Sequence, residues 1–159
     1  MVGESEKGLP RVNEIYRDPL KRARELKGKG KQIFGYLCIY PVVEMITALN
    51  LVPLRVFGDM REPITKADNY LTTVACPFLR SCLDLGLKGR YDFLDGIVTA
   101  HICDVGSSIA GIWNYSIKTP FCHQIDVPHT AHETALEQQR ELLELLQASP
   151  SCTVQGLDR

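Results

Sequence analysis

Residues 96–115 read GIVTAHICDVGSSIAGIWNY and predict one strand–helix unit. The apolar run at 96–102 is typical of a buried strand, and the pattern at 105–115 is helical. A strand that leads directly into a helix is the repeating unit of a parallel sheet, because parallel strands need a crossover connection. This stretch therefore indicates an α/β fold.

The same alternation extends over most of the chain. Further strands are predicted at three apolar runs, residues 33–40, 51–57 and 120–127. Further helices are predicted over 12–26, after Pro41, over 77–87 and after Thr130, which forms a capping box with Glu133. Pro19 is expected to begin or kink the first of these helices. The sequence thus predicts an α/β domain with a parallel sheet flanked by helices, a flavodoxin-like three-layer arrangement.

Charge and pattern divide the chain into three predicted segments. Residues 1–31 carry nine Lys or Arg against five Asp or Glu and form a basic helical arm. Residues 32–148 hold the α/β domain, and residues 149–159 form an irregular tail. A basic arm can contact nucleic acid or a CoA-type phosphate, or it can be an ordinary solvated helix. Aromatic residues are not interleaved with these charges, so no nucleic-acid partner is predicted.

Composition excludes several classes of protein. Hydrophobic residues make up 45% of the 159 residues and charged residues 23%, which is ordinary for a globular domain and excludes a disordered chain. Proline or polar residues interrupt the longest apolar runs, so no membrane span or membrane partner is predicted. The N-terminus lacks the apolar core of a secretory signal. Six cysteines without such a signal favour a reducing, cytoplasmic location, where thiols more often bind metal, catalyse or pack than form disulfides.

Two cysteines are predicted to stand at helix starts. Cys76 directly precedes the helix at 77–87, and Cys103 lies between the strand and the helix of 96–115. The loops at the carboxyl ends of parallel strands build the sites of α/β sheets, and a helix N-terminus favours the thiolate form that binds metal. Both are therefore candidate iron or zinc ligands. Their 27-residue separation is no zinc-finger spacing, however, and a free cysteine is also commonly a small buried hydrophobe.

The remaining reactive residues carry weaker signals. Cys38 and Cys122 are assigned to apolar strands and Cys82 to a helix, positions typical of core residues. His101 is assigned to a strand, where a structural or surface role is the ordinary expectation. No dinucleotide, P-loop, serine-hydrolase or zincin motif is present, so none of those enzyme classes is predicted.

Four strings resemble a known family: GYLCIYPVVEMITALNLVPLRVFG (35–58), CPFLRSCLDLGLKGRYDFLDGIV (76–98), CDVGSSIAGIW (103–113) and PFCHQIDVPH (120–129). In this order they are similar to the 2-hydroxyacyl-CoA dehydratase D-component family, which also contains the subunits of ATP-dependent benzoyl-CoA reductase. The resemblance extends from about residue 24 to residue 146. It implies a subunit of two α/β domains with a 4Fe–4S cluster held between them by cysteine thiolates.

The resemblance also implies roles for individual residues. Cys76 and Cys103 match cluster ligands of the family, so they are the predicted metal and cofactor ligands. Family members are much longer, and the third protein ligand and second domain are expected beyond the end of this chain, which resembles the N-terminal half of such a subunit. Glu44 matches the acidic residue of the first motif and is either a proton-transfer or positioning group or a helix-surface carboxylate. Arg80 and Ser81 are expected to orient the loop at Cys76.

The implied function is one-electron reduction of a CoA thioester. A sister subunit and an ATP-dependent activator protein with its own iron–sulfur cluster are the implied partners. The dehydratase branch is a lyase that removes a 2-hydroxyl group as water through a ketyl radical, whereas the reductase branch reduces an aromatic ring. The alternative is a non-catalytic, truncated α/β domain that acts only in subunit association. The 159-residue chain alone is predicted to be inactive and to hold a cluster loosely, because two thiolates leave irons without protein ligands.

Overall fold

The computed structural model describes residues 8–38, 43–126, 130 and 132–148. Its strands are β1 (Ile33–Tyr36), β2 (Val52–Arg55), β3 (Gly96–His101) and β4 (Cys122–Asp126). Its helices are α1 (Leu9–Arg17), α2 (Lys21–Gly28), α3 (Val43–Ala48), α4 (Pro77–Leu87), α5 (Asp104–Ile112) and α6 (Glu133–Ala148). A short 3₁₀-helix spans Ala67–Asn69, and a π-helical turn, Trp113–Ile117, continues α5. Within the described residues, none of the helices has the length and hydropathy of a membrane span.

All four strands run parallel in one sheet, in the order β2-β1-β3-β4. β1 lies beside β3 through the pair Gly35 and Ile97, and β3 lies beside β4 through Ile97 and Cys122. Helices cover both faces of the sheet. The predicted α/β architecture, a parallel sheet flanked by helices, is confirmed.

The helices pack on both faces of the sheet. Neighbouring residues of a strand point to opposite faces, and Ile97 and Val98 accordingly belong to two different apolar clusters. The larger cluster contains Leu83 of α4 and Ile109 of α5, both fully buried, and the smaller contains Ile46 of α3. Right-handed crossovers require this placement, because the connections from β1 to β2 and from β2 to β3 run in opposite directions across the sheet.

The helix predicted over 12–26 is two helices in the structure. α1 ends at Arg17 and α2 begins at Lys21, with Pro19 between them. Asp18, which precedes the proline, has a non-helical backbone (φ −138°, ψ 81°), because the proline ring disfavours a helical conformation there. Leu20 is fully buried in the larger cluster, so the basic segment contributes to the core. The boundary proposed after residue 31 stays a prediction.

The first strand is shorter than the run predicted at 33–40. β1 ends at Tyr36, and Cys38 lies beyond it with a left-handed backbone (φ 62°). The prediction that Cys38 sits inside a strand is therefore wrong, because strands need a negative φ. Residues 39–42, which include the helix start predicted at Pro41, lie outside the described residues.

The last two helices also differ from prediction at their ends. α5 continues through the π-helical turn to Ile117, where Lys118 in a left-handed conformation (φ 55°) ends it. α6 begins at Glu133 rather than directly after Thr130, so Thr130 is not its N-cap residue. The tail predicted at 149–159 lies outside the described residues.

A buried tyrosine joins the loop after β2 to the core. The Tyr91 hydroxyl donates to the Phe57 carbonyl (2.6 Å) and accepts from the Phe57 N–H (3.2 Å). Burial raises the pKa of Tyr91 to about 12, so the hydroxyl keeps its proton and remains a donor. Both backbone groups of Phe57 thus depend on one side chain.

We expect Tyr91→Phe to lower the free energy of unfolding by about 2 kcal/mol, because it leaves a backbone donor and a backbone acceptor without their partner. Urea denaturation followed by circular dichroism measures the change. Tyr115→Phe is the matched control, since Tyr115 is 80% exposed, and should leave the midpoint unchanged. Equal midpoints for the two variants would contradict the role assigned to the Tyr91 hydroxyl.

Candidate functional site

The carboxyl ends of β1 and β3 form the switch point of the sheet. From β1 the chain passes to β2 on one side, and from β2 it crosses to β3 on the other side of β1. Connections that diverge in this way open a crevice, and ligands of open α/β sheets bind in such crevices. The candidate site is therefore expected among the residues that follow these two strands and begin the adjacent helices.

Cys103 is the N-cap residue of α5. Its backbone is extended (φ −166°, ψ 164°), and its sulfur accepts a hydrogen bond from the Gly106 N–H at 3.4 Å. The unpaired N–H groups of a helix N-terminus attract negative charge. The side chain is exposed, so the sulfur is accessible to a ligand.

Cys76 occupies the equivalent position on α4. It is the N-cap residue, and Pro77 follows in the first turn of the helix. A backbone N–H at that position has no partner within the helix, so proline is tolerated there. The thiol is exposed. α4 and α5 lie on the same face of the sheet, and crossover helices start at the carboxyl edge of the strands that they follow. Both predicted ligands therefore lie at the carboxyl edge of the sheet.

Arg80 and Ser81 hold the loops that precede α4. Arg80 is largely buried; its guanidinium donates to the Thr73 carbonyl (3.2 Å) and pairs with Asp68. Ser81 accepts a hydrogen bond from the Asp59 N–H at 3.0 Å. Hydrogen bonds donated by a charged guanidinium are strong, so Arg80 fixes the backbone at Thr73, just before the α4 N-terminus.

Two other cysteines lie where the sequence predicts. Cys82 on α4 is fully buried, its thiol donates to the Val56 carbonyl (3.9 Å), and burial raises its pKa to about 12. Cys122 on β4 is half-buried, and burial raises its pKa as well. Both side chains thus favour the neutral thiol, the form that does not bind metal.

Glu44 and His101 are two further polar residues at this end of the sheet. Glu44 is exposed in the first turn of α3, the helix that follows β1. His101 ends β3, and its Nδ1 lies 3.0 Å from Oδ1 of Asp126 at the end of β4. Sequence reasoning missed this pair because only the register of the two strands brings together residues 25 positions apart. The role of Glu44 stays a prediction.

Comparison with known families adds a second line of evidence. The family model described as 2-hydroxyglutaryl-CoA dehydratase, D-component, matches residues 38–152, which is more than half of the chain. The chain belongs to this D-component family. The resemblance that the sequence motifs indicate is confirmed.

D-component relatives of this chain are enzyme subunits. It is 30% identical over 125 residues to a subunit of benzoyl-CoA reductase from Thauera aromatica, covering 76% of this chain and 32% of that protein. It is 27% identical over 106 residues to the beta subunit of lactoyl-CoA dehydratase from Anaerotignum propionicum (66% and 28%). It is 29% identical over 96 residues to the beta subunit of (R)-2-hydroxyglutaryl-CoA dehydratase from Acidaminococcus fermentans (60% and 25%). The chain spans about a third of the length of these relatives, or less.

The two cysteines at the carboxyl edge of the sheet suit a metal cluster, because thiols are cluster ligands and both side chains are exposed. Within residues 8–38, 43–126, 130 and 132–148, no three His, Cys, Asp or Glu side chains are grouped closely enough to hold a single metal ion. A 4Fe–4S cluster distributes its thiolate ligands over several irons, so exposed cysteines on separate elements can supply them. Cys76 and Cys103 meet this requirement, and their binding of a cluster is a proposal.

Proposed function

We propose that the chain is a component of an iron–sulfur 2-hydroxyacyl-CoA dehydratase or of the related ATP-dependent benzoyl-CoA reductase. It holds a 4Fe–4S cluster through Cys76 and Cys103 and acts with a sister subunit on a CoA thioester. The supporting observation is the pair of exposed cysteines that begin neighbouring helices at the carboxyl edge of the sheet, in a chain of the D-component family. When bound, the cluster supplies the electron for one-electron reduction of the thioester.

The chain's own residues would prepare this edge for the reaction. The N-termini of α4 and α5 favour the negative charge of two thiolates, and Arg80 holds the loop before Cys76 in place. Glu44, in the first turn of α3, would transfer a proton or position the substrate. A separate ATP-dependent activator protein with its own iron–sulfur cluster would deliver the electron.

We expect Cys76→Ser and Cys103→Ser each to lose most of the iron and sulfide that the wild-type chain binds on anaerobic reconstitution, because a hydroxyl does not replace a thiolate as a ligand. Iron and acid-labile sulfide are measured per chain after desalting, together with the electron paramagnetic resonance spectrum of the reduced sample. Cys122→Ser is the matched control. Its hydroxyl can keep the bond to the Ala110 carbonyl, which the thiol makes at 3.7 Å, and the wild-type iron content should remain.

The same variants separate loss of a ligand from loss of folding. At position 103 a serine hydroxyl caps the helix as well as the sulfur does, since serine is among the preferred N-cap residues. The iron-free variants should therefore unfold at the wild-type temperature. Full iron content in both variants, or iron at background in the wild-type chain when it is reconstituted anaerobically together with its sister subunit, would contradict the proposed cluster.

Subunit association without catalysis is the alternative function. Exposed apolar side chains of α1, Val12, Ile15 and Tyr16, line a groove that Phe57 and Met60 complete. Exposed apolar surfaces of this kind are typical of protein interfaces. A chain that forms a complex with a sister subunit and binds no iron in that complex would favour this alternative.

A further inference from the structure

We infer that the groove between α1 and the loop after β2 is the docking site for an acidic amphipathic helix of the sister subunit, an inference that rests on the proposed function. This groove, the α1 groove, has two apolar walls. Val12, Ile15 and Tyr16 of α1 form one wall, and Phe57 and Met60 of the loop form the other. Its apolar surface, its polar groups and the charge around it each indicate the chemistry of the partner.

The apolar side of α1 has no covering surface in the described part of the chain. Leu9, Val12, Ile15 and Tyr16 are all exposed, and no residue of this nine-residue helix is buried. A helix of this length is marginal in water, because most helical stability in proteins comes from packing of an apolar face. A second helix that lies along the α1 groove would supply this packing in the manner of helix-in-groove recognition.

The polar groups of the α1 groove bind one another rather than a ligand. Arg61 donates to both carboxylate oxygens of Asp59, through Nε at 2.9 Å and through Nη2 at 2.8 Å. Its guanidinium carbon also lies 5.4 Å from the centre of the Tyr16 ring. Small-molecule sites combine apolar walls with polar groups that orient the ligand, and here these groups are already paired. The groove therefore suits the apolar side chains of a protein partner.

The charge around the α1 groove favours an acidic partner. Residues 9–28, which form α1 and α2, carry six Lys or Arg against three Asp or Glu, a net charge of +3. Glu14 already pairs with Arg11 and Lys21 at 2.7 Å each, whereas Arg17, beside the groove, makes no ion pair with the described residues. Acidic residues on the flank of a docked helix would complement this charge. A second copy of the chain would instead bring two segments of net charge +3 together, so charge disfavours self-association here.

Two designed peptides test the chemistry of the partner on the full chain. Both have leucine at every third or fourth position, and the remaining positions are mostly glutamate in one peptide and mostly lysine in the other. Fluorescence anisotropy should show that the glutamate peptide binds about tenfold more tightly than the lysine peptide, with a preference that added salt weakens. Equal affinities for the two peptides would overturn the inference.

A variant in the second wall tests where the helix binds. Met60→Glu should weaken binding of the glutamate peptide about tenfold, because it removes an apolar contact and adds a like charge. Leu136→Glu, at an exposed apolar residue of α6, is the matched control and should leave the affinity unchanged. Met60 is fully exposed, so Met60→Glu should unfold at the wild-type temperature. Unchanged affinity in Met60→Glu would overturn the inference.

The complex with the sister subunit identifies the occupant of the α1 groove. With photoreactive p-benzoylphenylalanine in place of Met60, mass spectrometry should find cross-links to an acidic helix of the sister subunit, and the same substitution at Leu136 should give none to that helix. Cross-links to a second copy of this chain would overturn the inference. So would binding to vesicles of phosphatidylcholine and phosphatidylserine that Met60→Glu abolishes, since a basic amphipathic helix can also contact an anionic membrane.

The same complex separates the inference from the proposed function. If Met60→Glu joins the sister subunit as tightly as wild type and the complex binds iron, the inference is wrong and the proposed function stands. A complex that Met60→Glu weakens but that binds no iron would support the inference and contradict the proposed cluster. If the wild-type chain forms no complex with the sister subunit, both fail.

Discussion

Asp84→Ala should lower the free energy of unfolding by about 4 kcal/mol, because it leaves several buried donors without an acceptor. Asp84 is buried on α4. Its Oδ1 accepts hydrogen bonds from three consecutive N–H groups, those of Thr65 (2.8 Å), Lys66 (2.6 Å) and Ala67 (3.0 Å). Its other carboxylate oxygen pairs with Lys88 (2.5 Å). Without this carboxylate, the loop at residues 65–67, which precedes Cys76, loses its attachment to α4.

Asp84→Asn keeps the shape of the side chain but removes its charge. It therefore tests whether the carboxylate charge makes the free energy of unfolding depend on pH. Burial raises the pKa of Asp84, but the Lys88 ammonium and the three N–H groups outweigh burial and hold the pKa below its ordinary value. A carboxylate of this kind contributes stability that is fully present above its unfolded pKa of about 3.9 and is lost as pH falls through the folded pKa. The wild-type chain should therefore lose stability below about pH 4 more steeply than the Asn variant.

Urea denaturation at a series of pH values between neutral and acid measures both effects. At neutral pH the Asn variant should be less stable than wild type by about 2 kcal/mol, since the amide oxygen can still accept from the loop but no longer pairs with Lys88. Glu137→Gln, at an exposed carboxylate of α6, is the control and should follow the wild-type curve. If the free energy of unfolding of Asp84→Asn fell with pH as steeply as that of wild type, the carboxylate charge would not stabilise the fold.

Trp113→Ala should destabilise the chain by a similar amount, about 4 kcal/mol, because it removes a large side chain from a closed core. Trp113 is fully buried where α5 passes into the π-helical turn. Its Nε1 donates to the Thr119 hydroxyl (2.7 Å), and its ring lies 6.1 Å from that of Tyr91. Trp113→Phe keeps the ring packing and should have a smaller effect. Unfolding of both variants is followed by circular dichroism, because Trp113 is the chain's single tryptophan and neither variant keeps a tryptophan fluorescence signal.

A glycine of α4 provides an internal check on this packing. A Cβ atom at Gly86 would lie 2.8 Å from Cη2 of Trp113 and 2.7 Å from Cδ1 of Ile117, too close for a real contact. Gly86→Ala should therefore destabilise the wild-type chain by about 2 kcal/mol through overpacking. In the Trp113→Phe background the same change should have a smaller effect, because the six-membered ring of the indole is absent. Strictly additive effects would contradict direct packing of α4 on Trp113.

The strand–helix alternation was predictable because its signals are local. α4 has the bounds predicted for it, since Pro77 favours the first position of a helix and an apolar face follows. β3 follows from an apolar run that begins at Gly96, directly after Asp95. The break at Pro19 was only partly predictable: proline marks the place, but burial of Leu20 in the core determines how the two helices separate.

Residues that depend on distant partners escaped prediction. In the sequence, Asp84 cannot be distinguished from any other helix carboxylate. Only the hydrogen bonds that it accepts from the loop at 65–67 show its role. The His101 and Asp126 side chains meet because β3 and β4 pair in one register. The strand predicted at Cys38 rests on apolar and aromatic neighbours, a composition that also suits the buried end of a strand and the turn beyond it.

The sequence by itself determined the fold class, the family and the location of Cys76 and Cys103 at helix starts, since periodicity, capping and motifs all act within a few residues. Only the tertiary structure decided that β1 lies beside β3, which creates the switch point between the strand that precedes Cys38 and the strand that precedes Cys103. The physical reason is that sheet order and register depend on burying both faces of the sheet under helices. That condition involves the whole chain and is not encoded in any single segment.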